Sequence, residues 1–312
     1  MKKIGLLALA GVTAIGLASC GSEEDYELSI VCPQGAPAIS VASLAVDNTD
    51  AYSFIDASTI SEQFTANTAD VLIAPVSAGA KLYKAGKSTY KLASVVTWGN
   101  IYFATQRTDI TSIDDLAGKT VTLFGETTIN ASVAKYVLAE KNITVEYAES
   151  LSSAALTQQL LISDSSAIVL TAEPALTAAT VKLANESKSV TSFSVSELFA
   201  DLTGGSEYTQ AGVFVNNETI NKHKDELDDY LEKVSESCAL VTTNAEEVAD
   251  DIIALGNTGL PATKAVVLKA LPKCNIKYVS AKDAKASVEA TASIDLEQFG
   301  GAVPQDDFYY GL

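Results

Sequence analysis

From Leu28 onward, short apolar runs alternate with stretches of helical period, and this alternation limits the folds open to the chain more than any other feature. LSIVCP (28–33) precedes a predicted helix near 37–46, AYSFIDA (51–57) one near 59–66, and DVLIAPV (70–76) one near 77–86. Parallel strands cannot be joined by a tight hairpin and need a crossover of roughly a dozen residues, usually a helix, so this spacing predicts βαβ units in a parallel sheet. KLASVVTW and IYFATQ then run extended to Gln106, and SIDDLAGK reads as a polar junction. The rhythm restarts with KTVTLF (119–124), a helix near 127–141, ITVEYAE, a helix near 152–163, AIVLTA (167–172), a helix from Glu173, and VTSFSV (190–195). After a loop at Thr203–Ser206 the strand AGVFVN (211–216) leads into predicted helices over Asn217–Leu240, Asn244–Leu255 and Pro261–Leu271. NIKYV and a last helix from about Ala281 follow. The expected fold class is α/β in two lobes, lobe 1 from 27–104 and 210–312 and lobe 2 from 105–209.

The first residues have a different purpose. Lys2 and Lys3 precede an apolar run from Ile4 to Leu17, the pattern of an export signal over 1–19. The run falls short of the roughly 20 residues a membrane-spanning helix needs. Leu17-Ala18-Ser19-Cys20 resembles the bacterial lipobox, which implies a diacylglycerol on Cys20 and a tether over 20–26. Loss of the two lysines takes the formal charge from −18 to about −20, a surface that repels nucleic acid and anionic headgroups. Membrane attachment is therefore expected through the lipid on Cys20, in an extracytoplasmic, monomeric protein with no nucleic-acid partner. Cys32, Cys238 and Cys274 form neither a CxxC pair nor a Cys/His cluster; a Cys238–Cys274 bridge is the alternative to buried free thiols. His223 is the one histidine and lies in the polar segment NKHKDELDDYLEK, so no metal site is expected.

In open α/β sheets, ligands sit outside the carboxyl ends of the strands. That rule gathers the turns Gln34–Pro37, Pro75–Ala78, Trp98–Asn100, Gly125–Thr128 and Ala172–Pro174 around one cleft. Gly35, leading into Ala36 and Pro37, and Gly125 lack a Cβ and permit tight turns close to a ligand. Ser77, Thr127 and Thr128 stand where helices begin, beside unpaired N–H groups and the positive end of the dipole. Each hydroxyl also has the plainer reading of a cap on its own helix. Trp98 is the one tryptophan, and its neighbours Gly99 and Asn100 place it at a loop, where its ring would stack on a planar ligand; core packing is the alternative. Glu126 and Glu173 either accept hydrogen bonds from a ligand amine or ring N–H, or serve the helix dipole. Arg107 is the one arginine, although arginine suits bidentate recognition of sulfonate, phosphate or carboxylate. The balance favours a small neutral or cationic nitrogen heterocycle, with a sulfonate or nitrate-type anion as the alternative.

PQGAPAISVASL (33–44), ADVLIAPVSAGAKLY (69–83), VVTWGNIYF (95–103), SIDDLAGKTVTLFGETT (112–128), LTAEPALTAA (170–179) and the ending VPQDDFYYGL follow one another in a characteristic order. In that order the chain resembles solute-binding lipoproteins of bacterial ABC importers, in the branch of nitrate, sulfonate, taurine and thiamine-pyrimidine binding proteins. The resemblance implies the type II periplasmic-binding fold, two α/β lobes joined by crossing strands that close on a small-molecule ligand. It also implies an ABC permease and its ATPase as partners, with surface acids such as Glu126 and Glu173 meeting permease arginines. The same family includes enzymes that build a pyrimidine precursor with iron, histidines and a bound cofactor. This chain departs from that pattern, with one histidine and no lysine-centred cofactor motif, so it reads as a binding protein without a cofactor and not as an enzyme. A ligand-sensing lipoprotein is the remaining class, since fold does not fix function.

Overall fold

The structure, a computed structural model, describes residues 26–312; the export signal and Cys20 lie outside the described residues. Strand β1 (Ile30–Pro33) leads through the short helices α1 (Ala36–Ile39) and α2 (Ala42–Asp47) to β2 (Tyr52–Ile55), then α3 (Ile60–Ala66), β3 (Val71–Pro75), α4 (Val76–Lys84) and β4 (Lys91–Trp98). The middle of the chain supplies β5 (Ile101–Thr105), β6 (Thr120–Val121), α5 (Ile129–Glu140), β7 (Glu146–Tyr147), α6 (Ala154–Ser163), β8 (Ile168–Ala172), α7 (Ala175–Asn185), β9 (Thr191–Ser194) and α8 (Val195–Thr203). It ends with β10 (Thr209–Val215), α9 (Asn217–Lys222), α10 (Lys224–Thr243), α11 (Ala245–Leu255), α12 (Lys264–Ala270), β11 (Ile276–Ser280) and α13 (Ala281–Ile294).

The strands make two α/β lobes. One is built on a six-stranded sheet in the order β11-β4-β10-β3-β1-β2, the other on a three-stranded sheet in the order β8-β5-β9. A parallel bridge from Thr122 to Val169 joins the small β6–β7 pair to the second sheet. β1, β2 and β3 are parallel as the spacing predicts, but β10 is antiparallel to both β3 and β4, and β11 to β4. The first sheet is therefore mixed, and the second is antiparallel. The cause is chain path: β5 pairs antiparallel with both β8 and β9, and β10 enters the first sheet from the second against the direction of β3 and β4. The chain leaves the first sheet at Trp98 and pairs in the second from Ile101, so the crossing occupies Gly99–Asn100.

Period-2 alternation packs the first sheet on both faces. In β3, Val71 and Ile73 join a core with α10, α11 and α12, while Leu72 and Ala74 join one with α4 and α13. The second of these cores continues into the other lobe through Ile129, Val133 and Phe199. Cys32, Cys238 and Cys274 are buried free thiols. The C-terminal tail returns to the first lobe, where the Tyr310 N–H donates to Leu92 O (2.8 Å) and Phe308 packs edge-on against Tyr83.

Several elements differ from expectation. KTVTLF keeps only a two-residue strand plus bridges, since its partner β7 is equally short. The long helix expected over Asn217–Leu240 breaks at His223, whose φ of −132° and ψ of 44° leave the helical region. There the imidazole, half-buried and not fully solvated, stacks on Tyr26 at 3.4 Å between ring centroids. Helix α8 was not anticipated, although Ser194 and Glu197 carry the S-x-x-E start signal and Gly204 ends the helix at φ 72°.

Candidate ligand-binding site

The expected site residues fall into three groups. In the first, Trp98, Gly99, Asn100 and Glu173 meet where the chain crosses between sheets. Glu173 N–H donates to Asn100 O (3.0 Å) and Asn100 Nδ2 donates to Glu173 O (3.4 Å). On the other side, Trp98 N–H donates to Asn275 O (3.1 Å) and Asn275 Nδ2 donates to Gly99 O (3.4 Å). The two lobes are thus stitched along one seam at Gly99–Asn100.

Two of these residues are corrected by their surroundings. Trp98 is 3% exposed, its indole N–H donates to Lys277 O (3.1 Å), and Lys277 Nζ stands 4.6 Å from the ring centroid. Lys277 is itself paired with Glu207. The indole is core packing with one face covered, because the bulky ring is worth more buried beside α13 than at a loop. Glu173, 2% exposed, faces neither an open cleft nor a permease. Its carboxylate accepts from the N–H (3.0 Å) and hydroxyl (2.9 Å) of Thr177 in the first turn of α7. Burial pushes its carboxyl above the usual range; the Thr177 bonds and Lys273 pull the other way without cancelling the shift. The absent side chain at Gly99 also has a packing cause, since a Cβ would lie 2.3 Å from the Tyr208 ring.

The second group is the turn FGETTIN. Gly125 sits at φ 57° and its N–H donates to Leu151 O (2.8 Å). Thr128 is the N-cap of α5, yet its hydroxyl donates back to Gly125 O (2.7 Å) and caps no helix N–H. The first N–H groups of α5 have no intrahelical acceptor, so this turn keeps donors and the positive dipole end free. Glu126 and Thr127 are exposed, and Glu126 pairs with Lys135 (3.5 Å).

The third group lies on the first lobe. Gly35, at φ 104°, donates its N–H to Thr258 O (2.8 Å), so the turn into Ala36 and Pro37 is braced by the 257–259 loop, where Gln34 Nε2 also reaches Asn257 O (3.0 Å). Ser77 is 7% exposed in the first turn of α4.

A link between the groups was missed from sequence. Gln210, the second residue of β10 and next to the Trp98 partner Thr209, donates from Nε2 to Asn130 Oδ1 (2.7 Å) in the first turn of α5. Its signal was a polar pair, Thr209–Gln210, opening a strand that is otherwise wholly buried. Ser132 Oγ makes a parallel link, donating to Asp295 Oδ2 (2.6 Å). One cavity of about 180 Å³ lies between α4 and the C-terminal tail, and one of about 330 Å³ lies between α7 of the second lobe and α12 of the first, beside Glu173, lined by Thr177, Lys269 and Lys273 among others. Among the described residues, no helix is long and apolar enough to cross a membrane.

Known proteins match this architecture. An ABC transporter protein from Parabacteroides distasonis superposes with a TM-score of 0.74 at 19% identity, over 90% of this chain and 98% of that one. The periplasmic aliphatic sulphonate binding protein SsuA from Escherichia coli gives 0.62 at 16% identity, over 86% of each chain. The alkanesulfonate-binding protein SsuA from Xanthomonas axonopodis pv. citri, bound to MOPS, gives 0.60 at 14%, over 90% of this chain and 96% of that one. At these identities the likeness is one of fold. A search of curated proteins returned no match. The family model described as NMT1/THI5 like matches residues 56–248, more than half of the chain, and the chain belongs to that family.

Proposed function

We propose that this protein captures a small molecule between its two lobes outside the cell and delivers it to an ABC permease driven by its ATPase. The observation that carries the reading is the seam itself. The carboxyl ends of β3 and β4, at Pro75 and Trp98, pair with the start of β10, where Gln210 bonds to Asn130 in the uncapped first turn of α5 from the second lobe. Likeness to ABC-type binding proteins over most of both chains supports the same reading. We take the lobes as 27–98 with 209–312 and as 101–208, after the sheet to which each strand belongs, in place of boundaries at 104/105 and 209/210. Ligand contacts from both lobes stabilise the closed state, and only their differential affinity for that state shifts its population. A diacyl group on Cys20, ahead of Tyr26, holds the protein at the membrane, since two chains anchor where one binds weakly.

The cargo we favour is a small nitrogen heterocycle of the thiamine-pyrimidine type. Arg107, the one arginine, is engaged with Asp109 (2.6 Å) on the surface and is not offered to an anion. A sulfonate is the second reading, favoured by the free N–H groups at the start of α5. Thermal unfolding against pyrimidines, thiamine, sulfonates, nitrate and amino acids tests both. A ligand at 100 times its dissociation constant stabilises by about 2.7 kcal/mol, a shift of several degrees. Turnover of the bound compound would replace the carrier reading with an enzyme. No shift with any compound, from folded protein free of carried-over ligand, would remove the binding reading.

A further inference from the structure

Gln210 occupies an irregular position. Its neighbours Thr209 and Ala211 pair with Trp98 and Thr97, consecutive residues of β4, so Gln210 is the extra residue of a β-bulge. A bulge leaves one residue out of the ladder and re-aims its side chain, often beside a site. Here the side chain is 8% exposed, and one end of its amide is used: Nε2 donates to Asn130 Oδ1 across the lobe seam. The other end, Oε1, is buried with no hydrogen-bond partner. Buried polar atoms are nearly always paired, so an unpaired acceptor at a seam calls for a donor that arrives with something else.

We propose that Gln210 is a specificity-determining residue of the ligand site: its Oε1 accepts a hydrogen bond from a ligand N–H or O–H while its Nε2 holds Asn130 and the second lobe in place. This rests on the binding function proposed above. The free acceptor stands beside the uncapped first turn of α5, to which Asn130 belongs and whose N–H groups are donors. The matching ligand edge carries a donor next to an acceptor, as in an amino group beside a ring nitrogen or in a carboxamide. A sulfonate or nitrate offers acceptors alone and would set its charge against the Oε1 lone pairs. The same residue therefore selects the ligand edge and couples its arrival to the contact between lobes.

The test is calorimetric titration of the full chain in detergent with 4-aminopyrimidine derivatives and with butanesulfonate, on the wild type, Gln210→Glu and Gln210→Leu. Glutamate keeps the acceptor and the length, and Asn130 can turn its own amide to donate to it; leucine removes both ends. Circular dichroism and thermal melts check that each variant is folded, and Gln210→Glu, the closest in shape, decides the matter if Gln210→Leu does not fold. The expected result is aminopyrimidine binding that Gln210→Glu retains and Gln210→Leu weakens by about tenfold or more. Aminopyrimidine binding abolished by Gln210→Glu, or untouched by Gln210→Leu, overturns the role of Gln210 and leaves the binding function standing. Binding of butanesulfonate alone, abolished by Gln210→Glu, also overturns it, because the free end of the amide would then be a donor. A wild type that binds neither compound, nor any other in the unfolding panel, overturns the binding function and this inference with it.

Discussion

Thr177 closes off both oxygens of the Glu173 carboxylate, its N–H donating to Oε2 at 3.0 Å and its hydroxyl to Oε1 at 2.9 Å. An acid that would suit a ligand amine is thereby committed to the first turn of its own helix, while its backbone is bonded both ways to Asn100 of the other side of the seam. The residue joins the hinge to α7 and does not line a cleft.

The pH behaviour of Glu173 follows from its burial, which raises the folded-state pKa above the ordinary carboxylate value. A raised pKa means that the folded state holds the proton more tightly than the unfolded one. The stabilisation is complete below the unfolded value of about 4.3 and is lost as pH rises through the folded value. Glu173→Gln, which mimics the protonated acid, is expected to be at least as stable as the wild type at pH 7 and to lose that advantage towards pH 4. Glu173→Ala, which strands the Thr177 donors, is expected to cost about 1–3 kcal/mol. Urea midpoints at the two pH values decide, and an offset for Glu173→Gln that is the same at both would show that burial does not disfavour the charge.

Gly99→Ala should act on the fold. The added methyl would lie 2.3 Å from the ring of Tyr208, which is fully buried and packed edge-on against Phe199. Such overpacking costs about 1–3 kcal/mol, so a lowered melting temperature is expected with ligand affinity of the folded fraction unchanged. An unaltered melt with lost binding would return Gly99 to the ligand.

Asp70 ties the start of the described chain to the first lobe. It accepts from Ser29 N–H (2.9 Å), Ser29 Oγ (2.7 Å), Thr219 Oγ1 (2.6 Å) and Tyr26 OH (3.0 Å). Partial burial raises its pKa, but these bonds outweigh it and the net shift is downward. The sign is opposite to that of Glu173: this stabilisation is present above the unfolded value of about 3.9 and is lost as pH falls through the folded value. Asp70→Ala should cost about 1–3 kcal/mol at neutral pH, with the deficit shrinking in acid. Denaturation curves at pH 7 and pH 3 measure both, and a deficit that persists in acid would assign the loss to packing.

Trp98, as the sole tryptophan, reports on its own burial. Blue-shifted emission and weak quenching by iodide are expected from a ring 3% exposed, and Trp98→Ala should destabilise the protein by about 3–5 kcal/mol. Emission typical of a solvated indole would restore the stacking role inferred from its loop neighbours.

What the sequence made legible was the regular part. Apolar runs such as DVLIAPV and KLASVVTW became β3 and β4 nearly residue for residue, because buried strands have few other uses for such stretches. Strand direction was not legible, since antiparallel β10 differs from its parallel neighbours in chain path and not in composition. At the candidate site, local chemistry could mark Gly125 and Thr128 as a turn but could not say which groups another element would consume. Glu173 is taken by Thr177, four residues on, and Trp98 by Lys277, far along the chain. Gln210 carried the reverse lesson: a polar residue in a buried strand was visible, but its partner Asn130 comes from the other lobe.

Thr127 and Thr128 separate a surface hydroxyl from a structural one within the same turn. Thr128 donates to Gly125 O at 2.7 Å, and its side chain packs where a Cβ on Gly125 would lie, at 2.9 Å. Thr128→Ala therefore loses a bond that shapes the turn, about 0.5–1.5 kcal/mol, whereas Thr127→Ala at an exposed position should change stability by no more than about 0.5 kcal/mol. On the proposed binding function, Thr127 faces the ligand as the lobes close, and its removal should weaken binding severalfold without moving the melting temperature of the free protein. Melts and titrations of both variants with the best compound from the panel read the two effects separately. Normal affinity in Thr127→Ala would place the ligand deeper in the seam, towards Gln210 and the first turn of α5, and away from the FGETTIN surface.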